Sequence, residues 1–249
     1  MWDVDGTLAE TERDGHRVAF NQAFAAFGLP WRWDCAHYGE LLAVTGGRER
    51  LLHEMQQCAL GPASVTARDA LARELHASKN KFYADLVRTA GLALRPGVAA
   101  LMRDCEERGV RMAITTTTSR ANVDVLMRAH FGANWSHRFS AVVCGEDVQH
   151  KKPDPEVYCR VLSTLGLAPT DAVAIEDSPA GVMSARAAGI PVVVARSAYF
   201  ADAAMEGALA IGQRLDDRRG WQPRVSTAAN LAGRVTLDDI MAWHARAAG

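Results

Sequence analysis

Lysine is scarce in this chain: only four of its 28 basic residues are lysine, and the rest are arginine. Cysteine is also sparse. Its five copies (Cys35, Cys58, Cys105, Cys144 and Cys159) are odd in number and contain no C-x-x-C pair. That argues against a zinc ribbon or paired disulfides and fits reduced thiols. No run of about 18 apolar residues occurs, so nothing reads as a membrane span. Asp3 and Asp5 stand where a signal peptide would carry basic residues and an apolar stretch. Neither charge is in excess, with 28 basic residues against 29 acidic and a formal net charge of −1. A protein that coats duplex nucleic acid usually shows a strong basic excess, whereas a small anion needs only local charge. The expectation is a cytoplasmic protein, monomeric by default, with neither nucleic acid nor membrane as partner.

What is present is ample apolar material. Hydrophobic residues make up 49% of 249, too long a chain for one ordinary domain and short for three. Residues 12–90 read as helices. Phe20, Phe24 and Phe27 fall at i, i+4 and i+7, a stripe that ends at Gly28 and Pro30. Helical stretches follow at 31–44, at 46–60 with Leu51, Leu52 and Met55 apolar, and at 65–90. Met55, Phe82 and Trp31 are assigned to the core of this block. After Leu94-Arg95-Pro96-Gly97 the texture changes, and short β-branched runs at 112–115, 141–144, 172–175, 191–195 and 208–212 alternate with helical segments stopped by glycine. Such alternation predicts a parallel sheet with helices on both faces. The fold class is therefore α/β: a doubly wound, Rossmann-like core (1–11 and 91–249) with an α-helical block (12–90) inserted after its first strand. The tail 236–249 reads as a capped C-terminal helix.

Ligands of open α/β sheets bind at the carboxyl ends of strands, and four such ends carry chemistry-bearing side chains. In Asp3-Val4-Asp5-Gly6-Thr7-Leu8 two carboxylates precede a glycine turn. One can attack an electrophile while the other shuttles a proton, although a polar turn has the same composition. The run Thr115-Thr116-Thr117-Thr118-Ser119 can hold phosphate oxygens at a helix start or simply cap the helix. Lys151-Lys152-Pro153 places two of the four lysines side by side, as a phosphate site or a solvated pair. Glu176-Asp177 closes an apolar strand, where buried carboxylates suit a hard cation with oxygen ligands, and Asp177 or Ser178 can also cap the next helix. Jointly these ends cover what phosphoryl transfer requires.

The order D-V-D-G-T, Thr116, Lys152-Pro153, Glu176-Asp177 resembles the haloacid dehalogenase-like phosphohydrolases, over essentially the whole chain. The helical block is similar to that superfamily's cap. Within it the chain looks closest to the CbbY-type phosphatases, relatives of beta-phosphoglucomutase, through L-A-E-T-E at 8–12, H-R-V-A-F-N at 16–21, W-D at 33–34, G-G-R-E-R at 46–50, A-I-T-T-T-T-S at 113–119 and A-I-E-D-S at 174–178. The resemblance implies Asp3 as a nucleophile forming an aspartyl phosphate and Asp5 as general acid/base. It implies Mg²⁺ held by the Asp3 carboxylate, the Asp5 backbone carbonyl and Asp177, with Glu176 supporting a water on the metal. Thr116 and Lys152 would bind the transferring phosphoryl group, Lys152 also restraining Asp3. The implied substrate is a small phosphorylated sugar, xylulose 1,5-bisphosphate.

The residues of the helical block fit a bisphosphate. Arg48 and Arg50 follow Gly46 and Gly47, where the backbone can approach a ligand while guanidiniums grip a phosphate. Surface pairing of these arginines with Glu49 or Glu54 is the competing arrangement. Lys79 offers a second cation, or a solvated helix residue, and Glu10 near the hinge could accept bonds from sugar hydroxyls. Thr117 and Thr118 join them as substrate-binding candidates, and His16 reads as a hinge or packing histidine. Only Met1 and Trp2 precede Asp3, short of the five or six residues usual for a buried parallel strand. This predicts apolar residues upstream in the natural chain, and a poorly held metal site without them. Three other functions remain open: a sugar phosphomutase, a metal-free carbon–halogen hydrolase, which would need neither Asp5 nor Glu176-Asp177, and a catalytically silent binding protein.

Overall fold

The computed structural model describes residues 1–224 and 233–245. Its strands are β1 (Ala113–Thr115), β2 (Ala141–Val143), β3 (Ala174–Glu176), β4 (Val192–Ala195), β5 (Ala210–Gly212) and β6 (Gln222–Pro223). β1 pairs with β2, and β3 with β4 and β4 with β5, all parallel; β6 closes the edge antiparallel to β5. Trp2 joins the two groups by bridging both Ile114 and Ile175 in parallel. Its N–H donates to Ala113 (2.7 Å), its carbonyl accepts from Thr115 (2.8 Å), and the Asp3 N–H donates to Ile175 (3.1 Å). The segment before Asp3 thus lies in the middle of the sheet. The Met1 amine donates to the Val173 carbonyl at 2.8 Å, and burial pulls it down to about 6. A buried amine is costly when charged, and both features lessen that cost.

Alternate residues of each strand face opposite sides. Ile114 and Val193 join a cluster with helices α5 (Val98–Glu107), α6 (Arg120–Phe131) and α9 (Leu237–Ala245). Ala113, Val192 and Val194 join another with α7 (Glu156–Leu165) and α8 (Pro179–Ala187). The sheet is therefore covered on both faces, the doubly wound arrangement expected. The β6 edge was not foreseen, because two residues containing a proline give no periodic signal. Residues 246–249 of the expected terminal helix lie outside the described residues.

The helical insert comprises α1 (Arg17–Ala26), α2 (Cys35–Leu41), α3 (Gly47–Gln57) and α4 (Val65–Thr89), with a π-helical turn at Glu12–His16 ahead of α1. Phe20 and Phe24 are fully buried among Trp33, Tyr38, Leu51, Met55 and Leu75. Phe82 and Trp31 pack on this cluster from its margin. Phe27 departs from the stripe and is 39% exposed. α1 stops at Ala26, and Gly28 (φ +67°) turns the chain away. Residues 31–34 are not helical. The Asn21 amide binds both the N–H and the carbonyl of Trp33 at 2.8 Å, and α2 begins only after Asp34, whose carboxylate accepts from the His37 N–H.

The two crossings between insert and core pair with each other: Ala9 bridges Leu94, and the Arg95 N–H donates to Leu8 at 2.7 Å. The Arg95 guanidinium donates to the carbonyls of Gly6 (2.5 Å), Ala195 (2.7 Å), Gln213 (2.9 Å) and Arg196. All five cysteines are free thiols. Among the described residues no helix is long and apolar enough to cross a membrane.

The insert depends on its aromatic centre. Phe24→Ala should lower the free energy of unfolding by about 3–5 kcal/mol, read as a shifted urea midpoint.

Candidate active site

The turn Asp3–Leu8 leaves the sheet between β1 and β3, so Asp3 faces the ends of both neighbours. Gly6 adopts φ +87°, and a Cβ there would overlap the Asp177 carboxylate. Glycine thus lets the turn lie against the Asp177 carboxylate. Lys152, buried, donates to Asp3 Oδ1 at 2.7 Å, to Glu176 Oε1 at 2.7 Å and to the Thr115 carbonyl at 2.9 Å. Tyr158 also donates to Glu176 Oε1. Asp3, Glu176 and Asp177 each bring a carboxylate oxygen within 4.8 Å of the others.

The charges do not balance. Three buried carboxylates face one ammonium, and Asp177 has no ion-pair partner among the described residues. Burial pushes the Asp3 carboxyl up to about 7; Lys152 pulls it down, and Glu176 and Asp5 reinforce the rise. Burial, Asp3 and Glu176 hold Asp177 well above the usual carboxylate range. For Lys152 burial acts downward, but Asp3 and Glu176 outweigh it and hold the ammonium charged. A divalent cation beside Asp3 and Asp177 would remove the surplus negative charge, so the donor set fits a hard metal. Glu176 is already engaged by Lys152 and Tyr158, which leaves Asp3 and Asp177 as the freer ligands.

Asp5 faces the insert. Its Oδ1 accepts from Thr11 at 2.6 Å and lies 3.0 Å from His16 Nε2. Burial acts to raise its pKa, yet His16 and Thr11 outweigh burial and lower it. Neither His16 nor Thr11 was identified as a partner of Asp5 from the sequence. His16 reaches Asp5 because the π-helical turn sets its register. Gly15 lets that turn lie against α4, where a Cβ would press on Tyr83 and Leu92. No periodicity rule reports a single π turn.

Two cavities, of about 70 and 120 Å³, share Asp5, Glu12, Gly46, Arg50 and Thr117 in their walls. The smaller adds Asp3, Thr116, Lys152 and Asp177. The larger adds Gly47, His76, Lys79, Thr118 and Lys151. Arg50, buried, donates to Tyr38 Oη (2.7 Å) and the Leu41 carbonyl (3.1 Å) and lies 3.6 Å from Glu12. Lys79 is buried above the Phe20 and Tyr83 rings. Burial brings its pKa down to about 8, against upward pulls from Glu12 and Asp5. A further cavity of about 390 Å³, mostly apolar, lies by Met1 and Val173 and contains none of these groups.

Two expected substrate residues are not brought to the cleft. Arg48 pairs with Asp69 of α4, beyond both cavities. Side chains at 48 and 50 diverge by about 200° around a helix, so only Arg50 points inward. Glu10 accepts from the Ala198 N–H (3.2 Å) and pairs with Arg95 (3.3 Å), bracing the hinge outside both cavities of the cleft. The sequence also left out Glu12 and His76, which line the cleft, and Tyr158, which supports Glu176. Each is an ordinary helical residue by pattern.

A sequence profile of the haloacid dehalogenase-like hydrolases matches residues 1–189. Protein CbbY (plasmid) of Cupriavidus necator is 43% identical over 245 residues, covering 98% of this chain and 95% of its own length. The crystal structure of a mutant CbbY from Rhodobacter sphaeroides, in complex with xylulose-(1,5)bisphosphate, superposes with a TM-score of 0.79 at 38% identity, over 86% of this chain and 92% of that one. A beta-phosphoglucomutase from Clostridium difficile superposes with a TM-score of 0.71 at 18% identity, over 99% of this chain and 96% of that one, a likeness of fold.

The buried ammonium of Lys79 has a measurable cost. Its pKa near 8 in the fold lies below the 10.5 of an unfolded lysine. The unfolded chain therefore binds more protons between these values, and stability rises with pH across that window. Lys79→Met should add about 1–3 kcal/mol at pH 7 after the lost ring contacts are counted. The gain should shrink towards pH 10.5, as followed by urea denaturation at each pH.

Proposed function

The chain belongs to the haloacid dehalogenase-like hydrolase family, and from that premise we propose that it is a Mg²⁺-dependent sugar bisphosphate phosphatase whose substrate is xylulose 1,5-bisphosphate. The observation that carries this reading is the Asp3 carboxylate, bonded to Lys152 at 2.7 Å, beside a second cavity walled by Arg50 and Lys79. A sugar with two phosphates finds cationic groups at both ends. The CbbY relative crystallised with xylulose-(1,5)bisphosphate supports the choice of substrate.

Asp3 is the nucleophile. Its carboxylate attacks phosphorus, the bond from phosphorus to the sugar oxygen breaks, and an aspartyl phosphate forms. Lys152 keeps the attacking carboxylate in position, and Lys152 and Thr116 hold the phosphoryl oxygens. Mg²⁺ would be held by Asp3, Asp177 and the Asp5 backbone carbonyl, and when bound it neutralises charge on the phosphoryl group. Asp5 gives a proton to the leaving sugar oxygen and then takes one from the water that hydrolyses the intermediate. His16 and Thr11 hold Asp5 anionic at rest, ready for the second role. The arriving phosphate dianion repels that charge and favours the protonated form needed for the first. Arg50, Lys79, Thr117 and Thr118, with the Gly46-Gly47 backbone, bind the distal phosphate and sugar. Residues 12–90 act as a cap that closes over the core of 1–11 and 91–249 and excludes water.

Phosphate release from a panel of sugar bisphosphates and monophosphates, with and without Mg²⁺, tests this. We expect bisphosphates to be preferred, activity to vanish on chelation, and Asp3→Asn to cost at least about a thousandfold in turnover. Release that survives Asp3→Asn unchanged would refute the mechanism.

A further inference from the structure

The adjacent lysines of the 151–152 segment diverge. Lys152 reaches into the cavity that holds Asp3, whereas Lys151 lines the one that holds Arg50 and Lys79. One stretch of backbone thus supplies an ammonium to each end of the cleft. Lys151 Nζ bonds Glu49 Oε1 at 2.7 Å, across the cleft from the core to the first turn of α3. The other Glu49 oxygen is buried with no hydrogen-bond partner. The pair is half exposed, with side chains 25% and 43% accessible, so water screens it and it is cheap to break.

We propose that Lys151 is a specificity-determining residue, whose ammonium exchanges Glu49 for the second phosphate of the substrate. The inference rests on the phosphatase reading above and adds a residue and a competitor to it. A phosphate dianion is a stronger partner for an ammonium than a screened carboxylate. Glu49 tolerates the loss because it stays at the N-terminal turn of an eleven-residue helix, where backbone N–H groups favour negative charge. Lys151 and the Gly46-Gly47 start of α3 also adjoin closely, since a Cβ on Gly46 would fall 2.7 Å from Nζ. A monophosphate leaves the Lys151–Glu49 pair untouched, whereas a bisphosphate replaces it. Discrimination between the two follows.

Lys151→Met and Glu49→Gln separate this from a purely structural link between insert and core. Partner exchange predicts opposite shifts. Lys151→Met should raise KM for xylulose 1,5-bisphosphate roughly ten- to hundredfold. Glu49→Gln, which removes the competitor, should lower it, and both variants should keep kcat and their p-nitrophenyl phosphate activity within about twofold. Shifts in the same direction, or equal losses with both substrates, would mean a structural link only and overturn the proposal. The same substitutions in an Asp3→Asn background, titrated calorimetrically with the bisphosphate, give affinities that need no turnover. Failure of the phosphatase reading would then appear as binding without hydrolysis in the parent enzyme. Failure of the Lys151 assignment would appear as bisphosphate affinity indifferent to Lys151.

Discussion

A single buried ammonium organises this molecule. Lys152 is shared by Asp3 and Glu176, residues at the ends of two neighbouring segments of the sheet, and by the carbonyl that ends β1. Without it, three carboxylates would crowd an apolar interior with no charge to offset them, an arrangement proteins avoid by neutralising the acids. With it, the site keeps a net negative charge small enough to fold around and large enough to attract a cation. The Gly6 turn, the Tyr158 hydroxyl and the burial of Glu176 all serve this one group of contacts.

The insert solves a different problem. It has its own aromatic centre at Phe20 and Phe24, yet its polar contacts with the core are aimed at the site. Thr11 and His16 bind Asp5, Glu49 meets Lys151, and Arg50 and Lys79 look into the cleft. Apolar packing holds the helices together, and charged groups fix their position over the sheet. Arg95 secures the crossing point through four backbone carbonyls, a geometry that suits the planar fork of a guanidinium.

Much of this was legible in the sequence, for identifiable reasons. Strand ends were readable because an apolar run terminating in acids or hydroxyls is unusual, and the order of those ends is specific. The helical insert was readable from the spacing of its phenylalanines until Phe27, where a glycine turn intervened. Placement within the insert was less legible. Arg48 and Arg50 have identical chemistry in sequence, and only the rotation of α3 separates the one that pairs with Asp69 from the one in the cleft. Glu10 was close to the hinge in sequence, and there it pairs with Arg95 and accepts from the Ala198 N–H. His16 could not be assigned to Asp5, since a π turn leaves no trace in a residue pattern.

The scarcity of lysine acquires a meaning once the side chains are located. Lys79, Lys151 and Lys152 stand in or against the cleft, and Lys81 alone lies on the open surface. Arginine carries the remaining positive charge of the exterior, so Lys81 is the one lysine that stands away from the cleft. Any chemistry directed at lysine side chains, whether acylation, glycation or cross-linking, meets the exposed Lys81 and the partly exposed Lys151. With Lys81 replaced by arginine, such a reagent becomes a probe of the cleft, a selectivity created by composition.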